Sequence, residues 1–175
     1  MRTPIHATKK LEKLIKKLVK PQSSNEACGI LGKWNATIFY VDRKKCWLVS
    51  NARTQYVIIL TDIKASDLRD IEDVFKNAFY GQLVYDEIIT DFERIETLIG
   101  GLDFLPTDND RKTTGFQNHR LQDLKLWQCQ FGSLENMPMK ELSSRMNGMP
   151  IHLGAGKKMS DYTTSIDAMK TLLNF

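Results

Sequence analysis

Residues 34–60, WNATIFYVDRKKCWLVSNARTQYVIIL, constrain the fold more than any other part of the chain. β-Branched and aromatic residues fill 36–41, 46–50 and 56–60, the side chains that suit a pleated surface. Asp42-Arg43-Lys44-Lys45 and Asn51-Ala52-Arg53-Thr54 divide these runs and are short and polar enough for hairpin connections. The simplest arrangement is a three-stranded antiparallel meander. In its first strand Trp34, Ala36, Ile38 and Tyr40 share one face, and Asn35, Thr37, Phe39 and Val41 the other. Tyr56-Val57-Ile58-Ile59-Leu60 does not alternate, which predicts cover on both faces. The helices that follow are the candidates to supply it.

At 175 residues the chain suits one domain, 1–175, with a substantial core. No apolar run approaches the ~18–20 residues of a membrane span, and the first twenty residues lack a signal-peptide pattern. Cys28, Cys46 and Cys129 are odd in number and far apart, which fits a cytoplasmic location and small core hydrophobes, Cys46 above all. Charge is uneven. Residues 1–20 carry seven basic side chains against Glu12 alone, a balance of +6 within a chain of net +4, so the remainder sums to −2. A weakly acidic body with a basic arm differs from a uniformly basic nucleic-acid binder.

Thr8 is placed to cap a helix over 8–20, with Leu11, Leu14, Ile15, Leu18 and Val19 as its apolar stripe and Pro21 as its stop. It either packs that stripe on the domain or serves as an arm for nucleic acid, anionic lipid or an acidic partner. Helices are expected over 66–99: one capped by Ser66 or Asp67, a second from Asp86 to the Gly100-Gly101 cap. The acidic residues Asp86, Glu87, Asp91, Glu93 and Glu96 read as a solvated helix face. A short strand is expected over 102–105, and a polar loop over 107–120, TDNDRKTTGFQNHR. Residues 121–131 fit helix or strand. The C-terminal extension, 130–175, holds a short helix over 140–147, an edge strand over 151–153, a turn at Gly154-Ala155-Gly156, and a last helix capped by Asp161 or Thr163. The fold class is therefore α+β, an antiparallel β-meander packed against two or more amphipathic helices.

The run W-N-A-x4-V-D-R-K-K-C-x-L-x2-N-x2-T-x-Y-x-I resembles an uncharacterised bacterial family, one of the domains of unknown function. Thr8-Lys9-Lys10-Leu11 and the turn Thr107-Asp108-Asn109-Asp110-Arg111 extend the likeness over roughly residues 3–120. The resemblance implies a bacterial, phage or plasmid source and a shared fold. It implies no activity.

No metal-ligand spacing joins His6, His119 and His152. Gly154-Ala155-Gly156-Lys157-Lys158 is no P-loop, because Ile151 stands where the first glycine belongs and Lys158 where Ser or Thr belongs. No cofactor or metal is called for. The leading functional reading is a non-enzymatic binding module of a bacterium or mobile element, contacting nucleic acid or an acidic protein partner. Its contacts would be Lys9, Lys13, Lys16, Lys44, Lys45, Arg111 and Arg120. Trp34, Phe39, Tyr40, Trp47 and Tyr56 are candidate stacking aromatics. The alternative is an enzyme on a phosphate-bearing substrate, with His119 as general base and Arg111 or Arg120 as anion clamp. A third reading, attachment to a membrane surface, needs Leu11, Leu14 and Leu18 exposed.

Overall fold

The computed structural model describes residues 2–21, 29–88, 90–154 and 161–174. The meander forms as its composition requires: β2 (Trp34–Val41), β3 (Lys44–Asn51) and β4 (Val57–Leu60) pair in antiparallel order. The first turn is tighter than its four polar residues suggest. Asp42 and Arg43 both take positive φ, 50° and 64°, the two-residue geometry that matches strand twist, so Lys44 and Lys45 belong to β3. Asn51 organises the second turn, its Oδ1 accepting from the backbone N–H groups of Arg53 and Thr54.

The sheet is larger than a meander. β1 (Arg2–Ala7) and β5 (Gly101–Leu105) add to it in the order β4-β3-β2-β1-β5, with β1 parallel to both of its neighbours. Pro4 hides β1 from a sequence reading, because proline is a poor interior strand residue. Register explains its tolerance. Thr8 N–H donates to Ala36 O, and that parity turns the Pro4 nitrogen toward β2 at a level before β2 begins. The expected helix over 8–20 is correspondingly shorter. α1 (Lys9–Leu14) ends early, and Val19 bridges to Phe104 along the outer edge of β5.

Helices cover both faces. α2 (Ile71–Tyr85), α3 (Phe92–Ile99), α6 (Ser165–Leu173) and α1 bury Phe75, Phe79, Ile95, Met169 and Leu11 with Trp34, Ala36, Val49 and Ile58. α4 (Arg111–Phe131) and α5 (Met139–Asn147) bury Leu124, Leu142 and Met146 with Val41, Cys46, Leu48 and Val57. The class is α+β, with both faces of β4 covered as its unbroken apolar run requires. β6 (Pro150–His152) and β7 (Tyr162–Thr164) form a separate two-stranded sheet.

Several boundaries move for identifiable reasons. α2 begins at Ile71, not near Ser66, because Asp67 is engaged in a turn with Lys64 N–H. α3 begins at Phe92, where Asp91 accepts from Arg94 N–H, while Asp86 ends α2 as a buried carboxylate and not as part of a solvated face. The polar loop over 107–120 is instead mostly helix. Asp110 caps it, its Oδ1 accepting from the N–H groups of Lys112 and Thr113, and the helix runs unbroken through 121–131. Thr164 caps α6, in place of Asp161 or Thr163. Of the two described cysteines Cys46 is buried and Cys129 exposed, while Cys28, Ala155, Gly156, Lys157 and Lys158 lie outside the described residues.

Candidate functional site

The parallel strands β1 and β5 are neighbours, yet the helices that follow them leave on opposite faces. α1 sends Leu11 into the first core, and α4 sends Leu124 into the second. Adjacent parallel strands with diverging connections leave a crevice at their carboxyl ends, the usual ligand position in open sheets. A cavity of about 600 Å³ lies there, lined by Thr8, Lys9, Thr107, Asn109, Arg111, Thr114, Gly115 and Asn118. The nearby carboxylates are already engaged. Lys33 Nζ reaches Asp108 Oδ2 at 2.5 Å and Asp110 Oδ2 at 3.2 Å, and Asn35 donates to Asp108. Burial pushes the Asp108 carboxyl up, but Lys33 and the Asp110 N–H outweigh it and hold it below its ordinary range. Asp110 is lowered in the same way, burial being overcome by Thr113 and Lys33. His6 donates from Nδ1 to Pro106 O at 2.9 Å, since a carbonyl can only accept, and fixes the turn into α4.

A second cavity, a groove of about 580 Å³, lies between α1 and α4. Lys10, Lys13 and Leu14 form one wall, Leu121, Gln122, Lys125 and Gln128 the other, and Ile38, Phe39 and Tyr40 line its strand side. Both cavities use the same side of α4, because residues 111, 114, 118, 121, 125 and 128 fall on one face. Register supplies the opening: β1 ends opposite Ala36, so β2 runs on past it. Strand alternation then sets Phe39 toward α4 and Tyr40 toward α1, so the groove wraps a free strand edge. None of the described residues lining crevice or groove is acidic.

The sequence-derived contacts divide on this surface. Lys9, Lys13 and Arg111 come together along it, joined by Lys10 and Lys125, which the charge pattern alone did not single out. Lys16 and Lys45 are exposed elsewhere, and Lys44 pairs with Glu135 at 3.3 Å. Arg120 is no clamp. It is buried, stacks 4.7 Å over Phe116, and spends Nη1 on Asp123 and Met149. His119 is exposed on the next position of the helix, about 100° around from Arg120. The three residues of the enzymatic alternative are not gathered around a point. Trp34, Trp47 and Tyr56 are core, leaving Phe39 and Tyr40 as the accessible rings. Leu11 is buried and Leu18 packs on the core, so of the three leucines that membrane attachment requires exposed only Leu14 is. Among the described residues no helix is long and apolar enough to cross a membrane, and no three metal-ligating side chains converge.

A family model for a domain of unknown function, DUF6933, matches residues 4–168. The chain belongs to that family. The DUF6933 match runs well past Leu121, so α4, α5 and the β6–β7 sheet are parts of the family's domain and not an appended tail. No curated protein matches the chain. The family's description carries no reaction or ligand, and the functional argument therefore stands on the groove.

Proposed function

We propose that this DUF6933 domain is a non-enzymatic binding module of a bacterium or its mobile elements, holding single-stranded nucleic acid in the groove between α1 and α4. The observation that carries the reading is the meeting of five cations, Lys9, Lys10, Lys13, Arg111 and Lys125, with Phe39 and Tyr40 along one carboxylate-free surface. Cations that follow a backbone and rings that stack on bases are how single strands are held without sequence readout. An acidic protein segment would satisfy the same charges. Tyr40, half exposed, favours bases, since stacking adds about 1–3 kcal/mol per base.

The test is fluorescence anisotropy of labelled single-stranded and duplex oligonucleotides across a salt series. If about four of these cations meet phosphates, log affinity falls with log salt at a slope near −3, or roughly fifty-fold between about 50 and 200 mM. Tyr40→Ala weakens binding without changing that slope, whereas Lys13→Gln and Lys125→Gln reduce it. Absence of binding, or affinity indifferent to salt, would overturn the proposal and turn attention to acidic peptides.

A further inference from the structure

We infer that the crevice between the carboxyl ends of β1 and β5 is a separate subsite for a phosphomonoester, the terminal phosphate of the strand whose body lies in the groove. The inference rests on the nucleic-acid reading above for its ligand, but on different residues. Along the groove the cations are spaced out, as suits internal phosphodiesters of one charge each. In the crevice Lys9 and Arg111 line one cavity together with Thr8, Thr107, Thr114, Asn109 and Asn118, the Thr8 hydroxyl being already bonded to Thr37 Oγ1 at 3.2 Å. A phosphomonoester carries about −1.5 to −2 charges near neutral pH and three acceptor oxygens. Two cations ringed by donors match that group better than they match a diester.

Gly115 is the independent observation. It sits in the second turn of α4 and lines the crevice, and a Cβ added there would meet nothing within 4 Å. Packing therefore does not demand glycine, and its helical φ does not either, since Gly115 is absent from the positive-φ residues. A helix-interior glycine is about 1 kcal/mol less favourable than alanine, so the chain gives up stability here for open space. The open space over Gly115 lets a ligand approach the helix closely at this point of the crevice. The first N–H groups of α4 are not that ligand's partners, because Asp110 already caps them. Side chains must hold the anion.

The experiment compares one oligonucleotide sequence bearing a 5′-phosphate, a 3′-phosphate or hydroxyls at both ends, with a nucleoside monophosphate as a further probe. One phosphorylated end should bind about five- to tenfold tighter than the hydroxyl form. Arg111→Gln, Lys9→Gln and Gly115→Leu should erase that preference, whereas Lys125→Gln weakens all forms alike and preserves it. Gly115→Ala should raise the melting temperature by about 2–4 °C, which separates a stability role from a binding one. Equal affinity for every end overturns the subsite and leaves the groove reading intact. A preference that survives Arg111→Gln and Gly115→Leu places the phosphate elsewhere and also overturns it. If no oligonucleotide binds but the monophosphate does, and Arg111→Gln abolishes this, the groove reading fails and the subsite stands for a free phosphomonoester. If neither binds, both fall.

Discussion

The two faces of the sheet are built on different principles. On the first, large apolar side chains do the work. Trp34 meets Phe75 and Phe79 edge-on at 5.3 and 5.1 Å, and Tyr56 and Phe79 are 6.1 Å apart. On the second, buried polar side chains reach from the helices to the sheet. Asn147 of α5 accepts from Val57 N–H at 2.8 Å and donates to Val57 O at 3.0 Å, doing for the β4 edge what another strand would do. Gln117 of α4 donates to Asn35 O and Ser50 Oγ, both at 2.8 Å. Apolar burial is non-directional and fixes how much is buried, whereas hydrogen bonds fix where a helix lies. Of the two helices that wall the groove, α4 is the one tied to the sheet by buried side-chain hydrogen bonds.

If that contrast is right, truncation on the first face costs the most stability and leaves binding unchanged in the molecules that remain folded. Phe79→Ala, removing a fully buried ring that touches Trp34, Phe75 and Tyr56, should cost about 3–5 kcal/mol in chemical denaturation. A cost below about 1 kcal/mol would mean the aromatic cluster is not what holds α2. Asn147→Leu comes next, at about 2–3 kcal/mol, because it strands the buried Val57 N–H and C=O and removes a donor to Asp86. Hydrogen exchange should show the Val57 amide losing its protection first. The Tyr56 hydroxyl, pushed up by burial and then by Asp86, stays protonated in either protein and keeps its bond to that carboxylate.

The second face then sharpens the contrast. Gln117→Leu roughly keeps the side-chain volume and should cost about 1–2 kcal/mol, since it takes this donor from the buried Asn35 O and Ser50 Oγ. Its expected signature is a loss of oligonucleotide affinity out of proportion to that stability change, because α4 loses the bonds that set its place beside the groove. Equal or greater loss of affinity in folded Phe79→Ala would break the comparison.

The same contrast explains what could be read in the sequence. The meander, its faces and the apolar spacing of α2 are periodicity signals, and periodicity reports apolar burial. α4 escaped because its buried side includes Thr113, Gln117 and Arg120, polar residues that a hydrophobic pattern counts as loop. Asp110, three residues ahead of the buried Thr113, was the cap signal available there. β1 escaped because Pro4 argues against an interior strand, and only the late start of β2 makes it acceptable. Of the groove, Lys9, Lys13 and Arg111 were legible as charges. Their convergence was not, since it depends on two helices leaving adjacent parallel strands on opposite sides, a topology no local pattern encodes.

The smallest effect lies where the second face meets the crevice, in the Lys33–Asp108–Asp110 cluster. Both carboxyls sit below their ordinary values when folded. A depressed folded value contributes stability that is present above the unfolded value, near pH 4, and is lost as pH falls through the folded values. Lys33→Met removes the cation that opposes burial, so Asp108 and Asp110 are no longer held down. The variant should therefore be modestly less stable than the parent at pH 7, and the gap should close only as pH falls through the depressed folded values, below which the carboxyls are protonated in both proteins. Lys33 is about one-third exposed, so solvent screening keeps the difference small. Urea denaturation at several pH values measures it. A gap that is constant with pH would assign the loss to the packing of the lysine stem, and a gap that widens in acid would reverse the sign of the argument. The anion subsite offers a second readout of the same cluster: with Lys33 gone, two uncompensated carboxylates beside Arg111 should weaken binding of a phosphorylated end more than binding of a hydroxyl end.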